Sequence, residues 1–254
     1  MQDYPRGLRS GVKIIAFKMK SNNQNTQPSS PGLSKFLQIL IKIFLVFVLM
    51  ALAFFLPAGT FHFTEAWIYL IMLGVAFIIV LLLFAREKSG ILWNRLSRRR
   101  EKQEGGKKIQ SLFSLFFILA LLLPGFDHRM GWSDVPMPVF LAADALVLLG
   151  YAFIVLSMSQ NRYATAIIEI QEGQKVMDQG LYKIVRHPMY TGGLLFLLFS
   201  PIALGSYWGL IPFLLVPALL VKRIKEEEKL LQAELPGYNE YYIKTRYRLL
   251  PFIW

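Results

Sequence analysis

The residues with the greatest capacity for chemistry lie in positions 180–193, which read GLYKIVRHPMYTGG. Here Arg186, His187 and Tyr190 bring together a guanidinium, an imidazole and a phenol, groups that hydrogen-bond or stack against a polar or cationic ligand. A long apolar run begins directly afterwards, so we expect this stretch to lie at the mouth of a membrane helix. The alternative is structural, because Pro188 could simply begin that helix at its first position.

A second polar group follows about forty residues later in the chain. Arg223, Glu227 and Leu231 are spaced by four residues, so on a helix they share one face. An ordinary ion pair at a helix end is the alternative for this group, and Tyr182 and Tyr190 of the first group could be no more than aromatic residues of the membrane interface. Taken alone, each of these groups has a structural explanation. All of them are nevertheless expected on the same face of the membrane.

Composition indicates that the elements positioning these groups are membrane helices. The 254 residues are 55% hydrophobic and 17% charged, and the mean hydropathy is +0.44. A soluble domain cannot bury so much hydrocarbon, so part of it must face lipid. The chain has no cysteine and its three histidines lack ligand spacing, which argues against disulfides, a cysteine nucleophile and a metal site.

The apolar runs predict an all-α, polytopic integral membrane protein with about five to six transmembrane helices. A hairpin of two short helices is expected in the last apolar run, which is too long for one upright helix and is interrupted by LGSYWG. The predicted membrane segments are Leu37–Pro57, Ala66–Ala85, Ser111–Pro124, Pro138–Met158 and the hairpin within Met189–Val221.

The distribution of basic residues predicts the orientation of the chain in the membrane. With six spans, 27 of the 28 lysines and arginines fall on one side of the membrane and only Arg129 on the other. This distribution predicts that both termini are cytoplasmic. Membrane topology and attraction to anionic lipids therefore explain the net charge of +12 better than nucleic-acid binding does. The polar groups described above are consequently expected at the cytoplasmic face.

Three motifs in a fixed order carry a family resemblance. They are Gly-x-Tyr-x-x-x-Arg-His-Pro-x-Tyr from Gly180, Arg-x-x-x-Glu-Glu-x-x-Leu from Arg223, and Gly-Tyr-x-x-Tyr-Tyr from Gly237. With these motifs the chain resembles, over residues 161–251, the isoprenylcysteine carboxyl methyltransferase family within the wider group that includes the phospholipid methyltransferases. The resemblance implies an S-adenosylmethionine-dependent methyltransferase, a bacterial member, with a lipophilic acceptor at the membrane.

The resemblance also implies the residues of the site. Arg223 would face the acceptor, and a carboxylate acceptor, which is favoured, would need no general base because it is already ionised at neutral pH. An amine acceptor, as in phospholipid N-methylation, would need a base, for which Glu228 or His187 is the candidate. The residues implied to bind the cofactor are Gln174, Lys175, Val176, Met177, Tyr182, His187, Pro188, Met189, Tyr190 and Glu227.

Composition separates a flexible basic and polar tail (1–34), whose low-complexity run cannot pack a core, from one membrane-embedded domain (35–254). Within the domain, residues 35–158 are expected to form the N-terminal transmembrane helices and residues 159–254 the cofactor-binding and catalytic region. The absence of a Gly-x-Gly-x-x-Gly after a strand argues against a soluble dinucleotide-type fold. The cofactor is therefore expected on loops and helix ends at the membrane surface.

Two alternatives remain open at this point. One is an NADPH-dependent membrane reductase of the sterol-reductase type, which carries a similar Arg-His-Pro-x-Tyr motif; the other is a non-catalytic membrane scaffold. The expected partners are membrane lipids and a lipophilic or lipidated substrate, with neither nucleic acid nor metal. The expected location is a bacterial inner (plasma) membrane, as a multi-pass protein.

Overall fold

The protein, a computed structural model, is described over residues 33–85, 104–161, 163, 170–171 and 173–254. These residues form an all-α structure in which the extended pairing is one isolated bridge. The predicted tail and most of the basic loop fall outside the described residues. The helices are α1 (Leu33–Ala58), α2 (Thr64–Ala85), α3 (Glu104–Met130), α4 (Met137–Gln160), α5 (Pro188–Ala203), α6 (Val216–Glu234) and α7 (Tyr238–Lys244), with 3₁₀ turns at Gly180–Lys183 and Trp208–Leu215.

Three helices of the described part are long and apolar enough to cross a membrane. They occupy Leu40–Ala58, Thr64–Leu83 and Met137–Gln160, close to three of the predicted spans. Helix α3 is longer than predicted, at 27 residues, because it continues through the polar residues on both sides of the apolar run. Helix α5 is apolar but has only 16 residues. The total of five to six spans stays a prediction.

A core of large side chains joins α1, α2 and α4 to the end of α5. Phe54, Tyr69, Val147 and Leu204 are all fully or almost fully buried there. The rings of Phe54 and Tyr69 meet edge to face at 6.0 Å, a favoured geometry for aromatic pairs. The buried Tyr69 hydroxyl is satisfied by the Ser200 hydroxyl at 2.7 Å. This core fixes the membrane helices on which the polar region stands.

The predicted break in the last apolar run is present. Helix α5 ends at Ala203, Gly205 adopts φ +71°, and a 3₁₀ turn leads into α6. Asp127, buried at the end of α3, holds this turn. Its carboxylate accepts hydrogen bonds from the Ser206 hydroxyl and from the backbone N–H and hydroxyl of Ser133. The chain therefore returns as a hairpin, and α6 reaches the level at which α5 began.

Helices α4 and α5 approach each other most closely at a pair of glycines. A Cβ added to Gly192 would lie 2.5 Å from the carbonyl oxygen of Gly150, and one added to Gly150 would lie 2.7 Å from the carbonyl oxygen of Gly192. Backbone atoms cannot move aside as a flexible side chain can. The two glycines thus hold the end of α4, at Gln160, beside the start of α5, at Pro188, where the polar region lies.

Gly192→Ala is expected to destabilise the protein by roughly 2 kcal/mol or more, because the methyl group forces two backbones apart. The matched control is Gly193→Ala, since a Cβ there meets nothing within 4 Å. Alanine at 193 should be neutral or stabilising by up to about 1 kcal/mol through its better helix propensity. Thermal unfolding in detergent measures the stability of both variants. Equal unfolding midpoints for the two variants would contradict the close packing of these helices.

Candidate active site

The residues singled out from the sequence surround a pocket between the α4–α5 connection, α6 and α7. The space inside it, counted out to its open mouth and so including some solvent, is about 800 Å³. All the residues predicted to bind a cofactor, except Pro188, line it. They are Gln174, Lys175, Val176, Met177, Tyr182, His187, Met189, Tyr190 and Glu227.

Pro188 contributes by starting a helix. It is buried and lies in the first turn of α5, where a missing N–H costs no hydrogen bond. His187 precedes it outside the helix, with φ −125° and ψ 60°, and its carbonyl accepts the N–H groups of Tyr190 and Thr191. The structural and the functional interpretation of the His-Pro motif therefore both apply. Pro188 begins the helix, and His187 lines the pocket.

A hydrogen-bond chain runs from α6 through α5 to the pocket. The Tyr190 hydroxyl donates to Oε2 of Glu227 at 2.6 Å and accepts from Nε of Arg223 at 3.1 Å. Arg223 does not line the pocket itself, but it contacts a residue that does. The four-residue spacing on α6 thus places the arginine and the glutamate within hydrogen-bond distance of one phenol.

Glu228 is placed differently from Glu227. It is only 3% exposed, lies outside the pocket lining, and points into a cluster of cations. Oε1 accepts from Nε of Arg186 at 2.7 Å and lies 3.3 Å from Nε2 of His187. Oε2 accepts from Nε of Arg248 at 2.8 Å.

The electrostatics of this cluster bear on the predicted role of Glu228 as a general base. Burial alone would raise the pKa of Glu228, but hydrogen bonds from His187, Arg248 and Arg186 outweigh burial and lower that pKa to about 2. A carboxylate with so low a pKa and both oxygens engaged is a poor proton acceptor. Its geometry is that of a group that holds other side chains in position.

Tyrosines form the wall opposite α6. Tyr182, Tyr238 and Tyr241 are buried in one cluster with Leu235, and the rings of Tyr238 and Tyr241 lie 5.7 Å apart. The Tyr241 hydroxyl donates to the carbonyl of Tyr182 at 2.7 Å, which ties α7 to the Gly-x-Tyr motif. Gly237, with φ +80°, turns the chain from α6 into α7. This wall offers flat aromatic surface to a ligand.

The segment at positions 173–178 forms the remaining side. The Tyr163 hydroxyl donates to the carbonyl of Gly173 at 2.8 Å. At the other end of the segment, an exposed ion pair joins Asp178 to Lys244 of α7 at 3.2 Å. The predicted cofactor segment is thereby held against the pocket at both ends.

Several lining residues were not among those predicted. Leu230 follows Glu227 by three residues, so helical spacing could have found it. Arg186 and the two tyrosines of α7 stood in the motifs but had been given no role. Asn161 and Tyr163 carry no sequence signal, because they belong to no motif. In the described part of the chain, no group of three or more His, Asp or Glu side chains is arranged to hold a metal ion.

The arrangement suits a ligand that carries both a cation and a flat ring. Glu227 supplies a carboxylate at the pocket wall, the tyrosines supply aromatic faces, and Leu231 and Leu235 supply apolar surface. Lys175 and Arg186 are the basic residues of the described lining with a permanent charge, and Arg186 is engaged by Glu228 and by backbone carbonyls.

Most of the chain around the pocket lies in a stretch that matches a known protein family. The model of the isoprenylcysteine carboxyl methyltransferase family matches residues 142–233, a stretch that includes α4 from its first turns, the pocket segments, α5 and nearly all of α6. No curated protein matches the chain. The predicted resemblance is confirmed over these residues. The chain is therefore a membrane protein whose residues 142–233 match the model of the isoprenylcysteine carboxyl methyltransferase family.

Proposed function

We propose that the protein transfers a methyl group from S-adenosylmethionine to a lipophilic acceptor, and that a carboxylate is the acceptor group. The observation that carries the proposal is the chain Arg223–Tyr190–Glu227, which joins a carboxylate at the pocket wall to a guanidinium just outside it. The pocket has the groups such a cofactor needs. Glu227 matches its ammonium, and the tyrosine faces match its sulfonium and its adenine ring.

When bound, S-adenosylmethionine supplies an electrophilic methyl group on a positively charged sulfur. Methyl transfer to a carboxylate breaks that sulfur–carbon bond, forms an oxygen–carbon bond, and leaves an ester and a neutral thioether. No proton has to be removed from the acceptor, since carboxylates are ionised at neutral pH. Arg223 would pair with the carboxylate and orient it, which lowers the entropic part of the barrier.

The state of Glu228 supports a carboxylate over an amine acceptor. An amine must lose a proton, and Glu228 was one of the two candidate bases. Its low pKa and its three cationic or imidazole partners make it unsuitable for that task. His187, the other candidate, lies against the same carboxylate and stacks on Tyr190 at 5.6 Å. A reaction without a base fits these residues best.

A lipophilic acceptor is supported by the surroundings of the pocket. An apolar cavity lies among the membrane helices, lined by residues such as Phe47, Phe77 and Leu197. Leu197 follows Tyr190 by seven residues on α5, about 10 Å along the helix at 1.5 Å per residue. Apolar side chains connect the two places, since Leu194 packs against one core cluster that Leu197 also contacts and against a second that Tyr190 also contacts. An acceptor with a long hydrocarbon tail fits this arrangement.

We extend the proposal to organisation and location. Residues 35–254 act as one membrane-embedded methyltransferase domain, with residues 1–34 as a basic and polar tail. The asymmetry of 27 basic residues to one supports cytoplasmic termini and a cytoplasmic site. The bacterial inner membrane is the proposed location.

The deciding experiment is a calorimetric titration of detergent-purified protein with S-adenosylhomocysteine and, separately, with NADPH. We expect saturable binding of the first and none of the second. A reductase is disfavoured because a 2′-phosphate calls for arginines, whereas Arg186, the arginine of the described lining, is already paired. Binding of NADPH alone would make the protein a reductase, and binding of neither ligand would favour the scaffold.

A further inference from the structure

Residues 245–249 neither line the pocket nor belong to the stretch that matches the family, yet they hold the pocket wall. They run beside the Arg-His motif as a short extended pair. Val185 and Tyr247 form a parallel bridge, and the N–H groups of Arg186 and His187 donate to the carbonyls of Tyr247 and Arg248, each at 2.9 Å. The backbone of the motif is therefore fixed by a segment about sixty residues away.

The Arg186 side chain depends on the same part of the chain. Its NH1 donates to the carbonyls of Thr245 at 2.6 Å, Arg246 at 3.1 Å and Tyr242 at 3.3 Å. Its guanidinium also stacks over the Tyr242 ring, 4.2 Å from the centroid. These contacts leave Nε directed at Glu228. Arg186 is thus oriented by carbonyl oxygens rather than by the pocket.

Arg248 completes the cluster from the other side. Glu228 has two oxygens, and Oε1 is shared by Arg186 and His187. Oε2 is bound by Nε of Arg248 at 2.8 Å, while NH2 of Arg248 donates to the Tyr242 hydroxyl at 3.2 Å. Removing Arg248 would leave one oxygen of a buried carboxylate without this cation, which is costly. Glu228 would then have to rotate toward its remaining partners.

We propose that Arg248 is a positioning residue for the methyl transfer: acting through Glu228, it holds the imidazole of His187 in the pocket wall. The inference rests on the proposed function, because it is the cofactor pocket that His187 lines. The proposal gives residues 245–249, which lie beyond the stretch that matches the family, a role in the reaction. If Arg248 had a purely structural role, replacing it would lower the stability of the protein. It would not act specifically on the contact that His187 makes with the ligand.

A double-mutant cycle distinguishes a positioning role of Arg248 from a purely structural one. The dissociation constant of S-adenosylhomocysteine is measured by calorimetry for the unsubstituted protein, Arg248→Gln, His187→Ala and the double variant. We expect each single variant to weaken binding about tenfold and the double variant to be no weaker than the poorer single one. The matched pair is Arg248→Gln with Tyr163→Phe, a change that removes the hydroxyl bound to the carbonyl of Gly173, for which the effects should multiply.

Multiplying effects in the Arg248–His187 cycle, or unchanged affinity in Arg248→Gln, would overturn the inference. If Arg248→Gln does not fold, Arg248→Lys enters the same cycle; it keeps the charge, and its smaller loss should again vanish in the His187→Ala background. Failure of the unsubstituted protein to bind S-adenosylhomocysteine would overturn the proposed function as well. The two failures are thus distinguishable.

Discussion

Replacing Glu227 with alanine is expected to remove detectable binding of S-adenosylhomocysteine. Glu227 is the carboxylate of the described pocket lining, and its Oε2 accepts the Tyr190 hydroxyl at 2.6 Å. The substitution removes the partner of the ligand's ammonium and leaves the phenol without its acceptor. A hydrogen bond to a charged group contributes up to about 3 kcal/mol, so the dissociation constant should rise on the order of a hundredfold.

Glu226→Ala is the matched control for this substitution. Glu226 precedes Glu227 on the same helix and has the same charge, but it lies outside the pocket. Its removal should change the affinity by no more than about twofold, through weak long-range charge effects. Circular dichroism first checks that both variants fold. Calorimetry then measures the affinity of each variant for S-adenosylhomocysteine. Equal affinities in the two variants would remove Glu227 from the cofactor site.

Replacing Arg223 with alanine is expected to spare cofactor binding and abolish turnover. Arg223 lies outside the pocket lining and donates to the Tyr190 hydroxyl, and the bond from that hydroxyl to Glu227 does not require the arginine. Affinity for S-adenosylhomocysteine should therefore change by a few-fold at most. Turnover should fall on the order of a hundredfold, because a carboxylate acceptor loses a charged partner contributing about 3 kcal/mol.

The measurement is transfer of a radiolabelled methyl group from S-adenosylmethionine to a panel of lipophilic carboxylic acids in detergent micelles. Lys222→Ala is the matched control, since Lys222 is a neighbouring basic residue that is exposed to solvent. It should retain nearly full activity. Unimpaired turnover by Arg223→Ala would eliminate the role in acceptor binding. A loss of cofactor affinity equal to that of the Glu227 variant would mean that both side chains serve the cofactor.

Hydrophobic runs and helix breakers were sufficient to predict most of the fold. The segments at α2 and α4 were located to within a few residues, and the break between α5 and α6 follows from LGSYWG. The length of α3 was underestimated because hydropathy marks where lipid contact ends. Helical hydrogen bonding can continue well beyond that point. The paired glycines that bring α4 and α5 together have no signal in a single sequence.

The candidate site was predictable as a set of residues but not as a set of roles. Glu227 and Glu228 are adjacent and chemically identical, and their positions in the motif do not show which of them faces the pocket. A helix turns about 100° per residue, so one side chain faces the pocket while the other enters a buried cluster of cations. Arg248 is one of the partners of Glu228, and no spacing rule connects two residues in separate elements.

The pairing of the Arg-His motif with the end of the chain has a consequence for biosynthesis. Arg186 and Thr245, joined at 2.6 Å, are 59 residues apart. On the ribosome, the early helices can enter the membrane as they are made, because each needs only its own hydrogen bonds. The pocket wall cannot close until the residues around Arg248 have been translated. A nascent chain halted before Thr245 would therefore have its membrane helices in place and its pocket unfinished.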